Sequence, residues 1–174
     1  SDVKPDGTKM DGVGRSGDDI NEYNLSAAYD VSTASYNQNF SVSAQEANPR
    51  GVEFKPDGTK MYVVGTSGDD INEYNLSTAW DVSTASYSQN FSVSGQETNP
   101  YAVRFKPDGT KMFVTGTTGD DINEYNLSTA WDVSTASYVQ NFATGDSTQN
   151  AIAFSDDGTK MYTSGSTLDY IKEW

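Results

Sequence analysis

Apolar and polar residues alternate in short runs along this chain, and the alternation predicts β-strands joined by turns. The segment 51–94 shows the pattern most clearly. Its second run is rich in β-branched and aromatic residues, and its last alternates aromatic or apolar residues with Ser and Asn, as a half-buried strand does. The four predicted strands are Gly51–Lys55, Lys60–Gly65, Asp70–Leu76 and Tyr87–Ser94.

Turn signals separate these runs. The Pro-Asp-Gly sequence at 56–58 supplies a fixed φ and a residue that tolerates positive φ, 66–69 makes a second reversal, and 77–86 is a longer connection. The pair Thr59 and Lys60 is interpreted as an exposed hairpin end. The runs lack the 3.6-residue periodicity of helices, so helical repeats are excluded.

The chain is a tandem repeat. The heptapeptide Lys-Pro-Asp-Gly-Thr-Lys-Met begins at Lys4 and returns at Lys55 and Lys106, each time 51 residues further on, with a variant at Ser155–Met161. A four-stranded unit cannot bury both faces alone, so each copy must pack on its neighbours. This period therefore predicts an all-β fold, a β-propeller of four-stranded antiparallel blades, and leaves an open β array as the alternative.

The prediction for domain organisation is one propeller unit over residues 1–174, either a fragment or a half-ring. It holds about three and a half to four repeats. The fourth copy stops at Trp174, which matches Tyr74, so its outermost strand is absent. The repeats cover approximately 1–49, 50–100, 101–149 and 150–174.

The first copy also departs from the others. It keeps only 1–3 of its inner strand, and Asp11 and Gly12 replace the Tyr62 and Val63 of the second copy. Unpaired strand edges recruit other chains, so a homodimer that completes a ring of about seven or eight blades is one hypothesis. A compact four-bladed monomer is the other.

The segments Phe54–Val63 and Phe105–Val114 resemble the Ser-Pro-Asp-Gly blade motif of the YVTN and cytochrome-d1-like β-propeller families. With Tyr74–Tyr87, they are still more similar to uncharacterised repeats of about 50 residues in large secreted or virion-associated proteins. The resemblance implies that the strand with Phe54 lies nearest the central axis and the strand with Phe91 at the rim. It also implies an extracellular or virion-associated location.

Charge and length restrict the partners. Asp and Glu number 25 against 11 Lys and Arg, and a formal charge of -14 repels phosphate backbones and anionic lipids. No apolar run approaches the roughly 18 residues of a membrane span. We therefore expect neither nucleic-acid binding nor membrane insertion. The lack of an initial Met and of a signal segment is interpreted as the mark of a piece of a longer parent.

The chain has neither Cys nor His. This excludes disulfides, thiolate nucleophiles, imidazole bases and nearly all zinc or copper chemistry. We therefore expect no enzyme, no catalytic residue, no cofactor and no metal. Acidic pairs in turns are candidates for Ca²⁺, but the spacing fits no known loop and a structural role is favoured. These pairs are Asp18 and Asp19, Asp69 and Asp70, and Asp120 and Asp121, while the fourth copy has Leu168, Asp169 and Tyr170 there.

Three aromatic residues in the connection before the fourth strand are the candidate ligand-binding residues: Tyr29, Trp80 and Trp131. Their rings could stack on sugars, which would make the protein a multivalent carbohydrate binder. The alternative is that each ring packs the loop onto its own blade. Recurring Met, Phe and Tyr residues are interpreted as core between blades, namely Met10, Met61, Met112, Met161, Phe54, Phe105, Phe154, Tyr23, Tyr74 and Tyr125, with Trp174 in the last copy.

Some positions break the repetition at and just inside the inner strand. They are Arg50, Tyr101 and Asn150, and Glu53, Arg104 and Ala153. Either drift in an amplified array explains them, or one mouth of the propeller binds an asymmetric ligand. Glu53 and Arg104 are also expected to pair across neighbouring blades.

The function hypothesis is a non-enzymatic binding or adhesion module for a carbohydrate or protein ligand. A structural or assembly unit of a larger secreted or virion protein is the alternative. A lactonase or hydrolase is the second alternative, and the absence of His disfavours it.

Overall fold

A computed structural model describes residues 1–155, 157–167 and 170–174, and in it the chain folds into four antiparallel sheets. Strands pair in chain order within every sheet, so each sheet is a meander. The first three have four strands and the last has three. The strands are β1 (Asp2–Val3), β2 (Lys9–Gly14), β3 (Asp19–Leu25), β4 (Ala34–Ser41), β5 (Pro49–Phe54), β6 (Lys60–Gly65), β7 (Asp70–Leu76), β8 (Ala85–Ser92), β9 (Pro100–Phe105), β10 (Lys111–Gly116), β11 (Asp121–Leu127), β12 (Ala136–Ala143), β13 (Gln149–Phe154), β14 (Met161–Gly165) and β15 (Ile171–Glu173).

The predicted all-β propeller of antiparallel blades is confirmed. β6 and β7 have the predicted bounds, whereas the outer strand β8 begins two residues before the predicted Tyr87. The reason is a short 3₁₀ turn at Val82–Thr84, which ends the connection early. Asp81 caps this turn, because its side chain accepts a hydrogen bond from the Ser83 N–H. No helix in the described ranges is long and apolar enough to cross a membrane.

The first turn of each blade needs its glycine. Gly58 has φ +74°, and a Cβ at this position would lie 2.1 Å from the Trp80 ring. The Asp57 carboxylate accepts from the Thr59 N–H at 3.0 Å, which completes the turn. Both the backbone conformation and the close approach of the indole therefore select glycine here.

Neighbouring blades pack face to face, and their core lies between them. The second and third blades share a cluster that includes Val64, Ile71, Met112 and Tyr125, all fully buried. Equivalent clusters join the first blade to the second and the third to the fourth. The predicted inter-blade core is therefore confirmed in the middle of the chain. At its ends Met10 and Met161 are only partly buried, and Trp174 is 41% exposed.

The first strands of successive blades lie beside one another: β1 contacts β5, β5 contacts β9 and β9 contacts β13. These four strands therefore form the inner, axial side of the molecule. Contacts between blades follow chain order. Within the described ranges, no hydrogen bond, ion pair or hydrophobic cluster joins the first blade to the fourth.

A buried glutamate ties each blade to the next one. Glu73 accepts from Gln89 at 3.0 Å, pairs with Lys60, and accepts from the Val133 N–H of the third blade at 3.1 Å. Gln89 also donates to Asp132 at 2.6 Å. Lys60 is therefore an ion-pair partner of a buried carboxylate, and its interpretation as an exposed hairpin end is wrong.

The three-residue stretch that covers the glutamate of the preceding blade is called the capping segment. Its copies are 29–31, Trp80–Val82 and Trp131–Val133. The second copy covers Glu22 as the third covers Glu73, since Glu22 accepts from the Val82 N–H at 3.2 Å. Both glutamate side chains are fully buried. Glu124 pairs with Lys111 in the same way, but no capping segment follows it in the described chain and its side chain is 17% exposed.

The glutamate network leads to a first prediction. Glu73→Ala leaves Lys60, Gln89 and the Val133 N–H without their shared acceptor, and we expect the free energy of unfolding to fall by about 2–4 kcal/mol. Chemical denaturation with urea, followed by circular dichroism, measures the change.

The matched control is Glu173→Ala in the fourth blade. Glu173 makes the same pair with Lys160, but both side chains are about half exposed (52% and 50%). For the single chain, measured at a protein concentration and low ionic strength at which it is a monomer, we expect no measurable change there, because solvent screens an exposed pair. Equal effects of the two substitutions would contradict the stabilising role of the capping segment.

Candidate functional site

The structure separates the three predicted ligand-binding aromatics and buries two of them. Trp80 and Trp131 are 7% and 9% exposed, whereas Tyr29 is 65% exposed. The Trp80 ring stacks on Phe54 of its own blade at 5.1 Å between centroids, and Trp131 lies 5.2 Å from Phe105. The two indoles therefore occupy the positions that the packing interpretation predicts, and only Tyr29 offers a ring face to solvent.

The preceding blade completes the cover over each tryptophan. Lys9 of the first blade donates to the Trp80 carbonyl at 2.7 Å, and the Tyr62 hydroxyl of the second donates to the Trp131 carbonyl at 2.8 Å. Both tryptophans adopt φ near +60° (60° and 64°), which is uncommon for a bulky residue. Tyr29 adopts the same φ of 60° with no blade before it, so the packing of the ring over the turn glycine is what the three copies share in this conformation.

The acidic pairs serve the blade itself. In the second copy Asp69 adopts φ +50°, and the Asp70 carboxylate accepts from Asn72 and Asn90, each at 2.6 Å. Its oxygens thereby join the third strand to the fourth. No group of three or more Asp or Glu side chains within the described ranges is arranged to hold a metal ion. The fourth copy cannot be compared, since Leu168 and Asp169 lie outside the described residues.

A cavity of about 690 Å³ opens at the axial end of the third and fourth blades. It is called the axial cavity below. Four of its lining residues occupy one repeat position, next to the end of the inner strand: Asp2, Glu53, Arg104 and Ala153. These include the residues at which the copies differ. The remaining lining residues are Phe105, Lys106, Pro107, Lys111, Phe113, Phe154, Ser155, Asp157 and Gly158.

Carboxylates at this position link one inner strand to the next. Asp2 accepts from the Phe54 N–H at 2.8 Å, and Glu53 accepts from the Phe105 N–H at 3.1 Å. Glu53 also receives the Arg104 guanidinium at 3.1 Å, so the expected pair across neighbouring blades is confirmed. The Arg104 side chain cannot accept a hydrogen bond, so this series of links between inner strands ends at the third blade.

The other divergent pair lies at the opposite end of the inner strands. The Arg50 guanidinium sits 4.7 Å from the centroid of the Tyr101 ring, within the range of a cation–π contact. Both residues are absent from the lining of the axial cavity. These two groups of divergent residues therefore lie in separate places, and Glu53 and Arg104 are the ones that border the axial cavity.

Two carboxyls have perturbed acidities: Glu53, which lines the axial cavity, and Asp11, which lies on the strand next to Asp2. Burial raises the pKa of Glu53 to about 7, although Arg104 and the Phe105 N–H act in the opposite direction. Asp11 pairs with Asp2 across β1 and β2 and is 1% exposed. Burial raises the pKa of Asp11 to about 7 as well, and the charges of Glu22 and Asp2 add to the effect.

Sequence analysis noted Asp11 only as a departure of the first copy and did not predict a buried carboxyl with a raised pKa there. One of its carboxylate oxygens is buried without a hydrogen-bond partner in the described structure. The available signal was a carboxylate at a position that holds Tyr62, Phe113 and Tyr162 in the other copies. Asp11 is not among the residues that line the axial cavity, so its raised pKa bears on stability.

The cavity offers both aromatic and charged surfaces to a ligand. Phe113 and Phe154 lie 4.7 Å apart with their rings tilted by 48°. Arg104 supplies hydrogen-bond donors, while Asp2 and Glu53 supply acceptors. A polar molecule with an apolar face, such as a sugar ring, matches this combination.

Comparison with known proteins identifies the fold. No protein-family model matches the chain, and no curated protein does. A candidate 6-phosphogluconolactonase from Bacteroides uniformis aligns with 99% of the chain at TM-score 0.69 and 14% identity. A second candidate, from Bacteroides fragilis, aligns with a TM-score of 0.70 and 15% identity. A periplasmic gluconolactonase from Pseudomonas aeruginosa aligns with a TM-score of 0.62 and 15% identity.

The chain spans about half the length of these solved structures, since it covers 48% of each. At such low identities the similarity shows a shared β-propeller architecture and nothing about chemistry.

The two carboxyls lead to a second prediction. A raised pKa means that the folded protein binds protons more tightly than the unfolded chain, so the stability contribution is complete below about pH 4 and is lost as the pH rises through about 7. We therefore expect the melting temperature to fall by several degrees between about pH 5 and 7, at roughly 2–4 °C for each kcal/mol. With no His in the chain, few other groups titrate in this window.

Asp11→Asn should flatten this dependence, because it removes one of the titrating groups. Asp6→Asn is the control, since hydrogen bonds from Lys4 and Thr8 lower the pKa of Asp6 to about 2 and it stays ionised throughout. Differential scanning calorimetry of the three proteins provides the test. A melting temperature that rises from pH 5 to 7 would contradict the assignment.

Proposed function

We propose that this protein is a non-enzymatic binding module that takes a carbohydrate ligand in the axial cavity. The observation that supports the proposal is the position of the cavity. It is bordered by Glu53, Arg104 and Ala153, where the otherwise near-identical copies differ. A repeated scaffold acquires a specific site where its symmetry is broken.

The lining residues suggest how a sugar would be held. The tilted rings of Phe113 and Phe154 provide a surface for the apolar face of a pyranose. Arg104 and Glu53 are 3.1 Å apart and carry fixed donors and acceptors that suit neighbouring hydroxyl groups. The proposed site differs from the loop aromatics, because the packed rings of Trp80 and Trp131 leave little surface for stacking.

The proposal extends to location. The blade motif at Phe54–Val63 is similar to repeats of the YVTN type and of large secreted or virion-associated proteins. An extracellular or virion-associated carbohydrate binder fits this likeness. The net charge of -14 disfavours nucleic acid as the ligand, because the protein repels phosphate groups.

The third prediction tests the binding function on a glycan array. We expect the wild-type protein to bind a set of related sugars. Arg104→Ala should weaken that binding by about tenfold or more, because it removes hydrogen bonds that the charged guanidinium donates to the sugar. Arg50→Ala is the matched control, since it removes the same side chain from an inner strand outside the cavity.

The array can also contradict the proposal. If Arg104→Ala leaves binding unchanged, the axial cavity is not the site, whether or not Tyr29→Ala abolishes binding. If no sugar is retained by the wild-type protein, the binding function fails and a structural or assembly unit is favoured. Thermal unfolding of each variant shows that the comparison is made between folded proteins.

A lactonase is the second candidate function. Two of the similar structures are candidate 6-phosphogluconolactonases. The Glu53 carboxyl, whose pKa burial raises to about 7, pairs with Arg104, and Lys106 also lines the cavity. In this scheme the Glu53 carboxylate takes a proton from a water molecule while the water oxygen attacks the lactone carbonyl. The tetrahedral intermediate then breaks the ring C–O bond, and the leaving alkoxide takes the proton back from Glu53. Arg104 would stabilise the developing oxyanion.

The fourth prediction separates the two candidates. A pH-stat measures acid released from 6-phosphogluconolactone, and for the binding module we expect only the spontaneous rate. The enzyme would be established if the wild-type rate exceeded the spontaneous rate, Glu53→Gln lost that excess and Arg50→Ala kept it. This result would overturn the non-enzymatic proposal.

A further inference from the structure

The same contact between blades occurs twice within the chain. Each blade has a trailing face, turned to the blade that follows, and a leading face, turned to the blade before it. The trailing face of the second blade presents Tyr62, Ile71 and Glu73, and the leading face of the third presents Met112 and the capping segment Trp131–Val133. The first and second blades meet through the equivalent residues.

The leading face of the first blade and the trailing face of the fourth have no neighbouring blade in the described chain, and both are exposed. On the leading face of the first blade, Tyr29 is 65% and Val31 is 68% exposed, whereas Val82 and Val133 are fully buried. On the trailing face of the fourth blade, Ile171 is 72% exposed, and its equivalent Ile71 is fully buried. The apolar groups that bury each other inside the chain are therefore exposed on two surfaces of complementary type.

The polar part of the contact is also present on both surfaces. On the fourth blade, Lys160 donates to Glu173 at 2.5 Å, as Lys60 pairs with Glu73 in the second. On the first blade, Val31 begins a 3₁₀ turn as Val133 does, and Val133 is the residue whose N–H donates to Glu73. The Val31 N–H is thus the equivalent donor for the Glu173 carboxylate of another molecule.

We propose that two copies of this chain associate head to tail, with the leading face of the first blade in one copy packed on the trailing face of the fourth blade in the other. Tyr29 is the anchor of this contact and takes the place that Trp80 and Trp131 hold inside the chain. The contact is heterologous and occurs twice in the dimer, so that the two copies close a ring.

Chain length supports a second copy as the occupant. The chain covers 48% of the solved propellers that it resembles, so two copies supply the length of one complete propeller. Electrostatics adds a condition. Each copy carries a net charge of -14, and the two therefore repel each other until salt screens the charge. We expect association to strengthen between low and moderate ionic strength.

The fifth prediction tests the head-to-tail dimer by size-exclusion chromatography with light scattering. At micromolar concentration and about 0.15 M salt, we expect a mass twice the 18.9 kDa of one chain. Tyr29→Asp should give the monomer mass, because it places a charge in the contact. Asp tolerates the positive φ of 60° at this position, so the turn is not strained.

Further variants make the test specific. Ile171→Glu on the opposite face should also give the monomer, whereas Tyr87→Asp should stay dimeric, because this exposed tyrosine lies on an outer strand away from both faces. Mixing Tyr29→Asp with Ile171→Glu should restore a one-to-one dimer, since one of its two contacts is then free of substitutions.

Two outcomes would overturn the proposal. One is a wild-type protein of monomer mass at all concentrations and salt conditions. The other is a dimer that neither Tyr29→Asp nor Ile171→Glu weakens, since the two faces would then have no part in it. Loss of sugar binding in the glycan array without a change in mass leaves the dimer intact, so failure of the proposed function can be distinguished from failure of the dimer.

Discussion

The structure depends on the face-to-face packing of consecutive sheets. A four-stranded meander has two surfaces to cover, and here each surface is covered by the adjacent copy. Apolar residues such as Ile71 and Met112 supply the area, while Glu73 and the capping segment Trp131–Val133 supply the orientation. A carboxylate buried at the contact requires its partners in place, so the relative position of two blades is specified as well as stabilised.

This arrangement explains why the repeats are so similar and where they differ. A residue in the contact must match its counterpart in the blade that it faces, and every copy keeps the same Lys-Glu pair and the same turn. The end of the inner strand is less restricted. Glu53 can be followed by Arg104 and then by Ala153 while the sheets remain packed, so residues that line the axial cavity can vary between copies.

Much of the fold was predictable from short-range patterns. The bounds of β6 and β7, the glycine turns and the number of strands follow from alternation and turn chemistry, which act within a few residues. The outer strand was misplaced, because the capped 3₁₀ turn at Val82–Thr84 carries no strong signal. Lys60 was misinterpreted, since its partner lies 13 residues away and acquires its importance only when the next blade covers it.

The sequence by itself determined the architecture. The 51-residue period indicates that one unit is repeated, and the alternation of apolar and polar residues indicates that this unit is a β-sheet. Only the tertiary structure decided which of the equivalent residues are buried and which are exposed. Trp80 and Tyr29 are equivalent in sequence, yet one is buried and the other exposed, since burial depends on whether another blade lies beside them. The acidity of Asp11 has the same origin: a carboxyl acquires a raised pKa from the sheet packed against it, which no local pattern records.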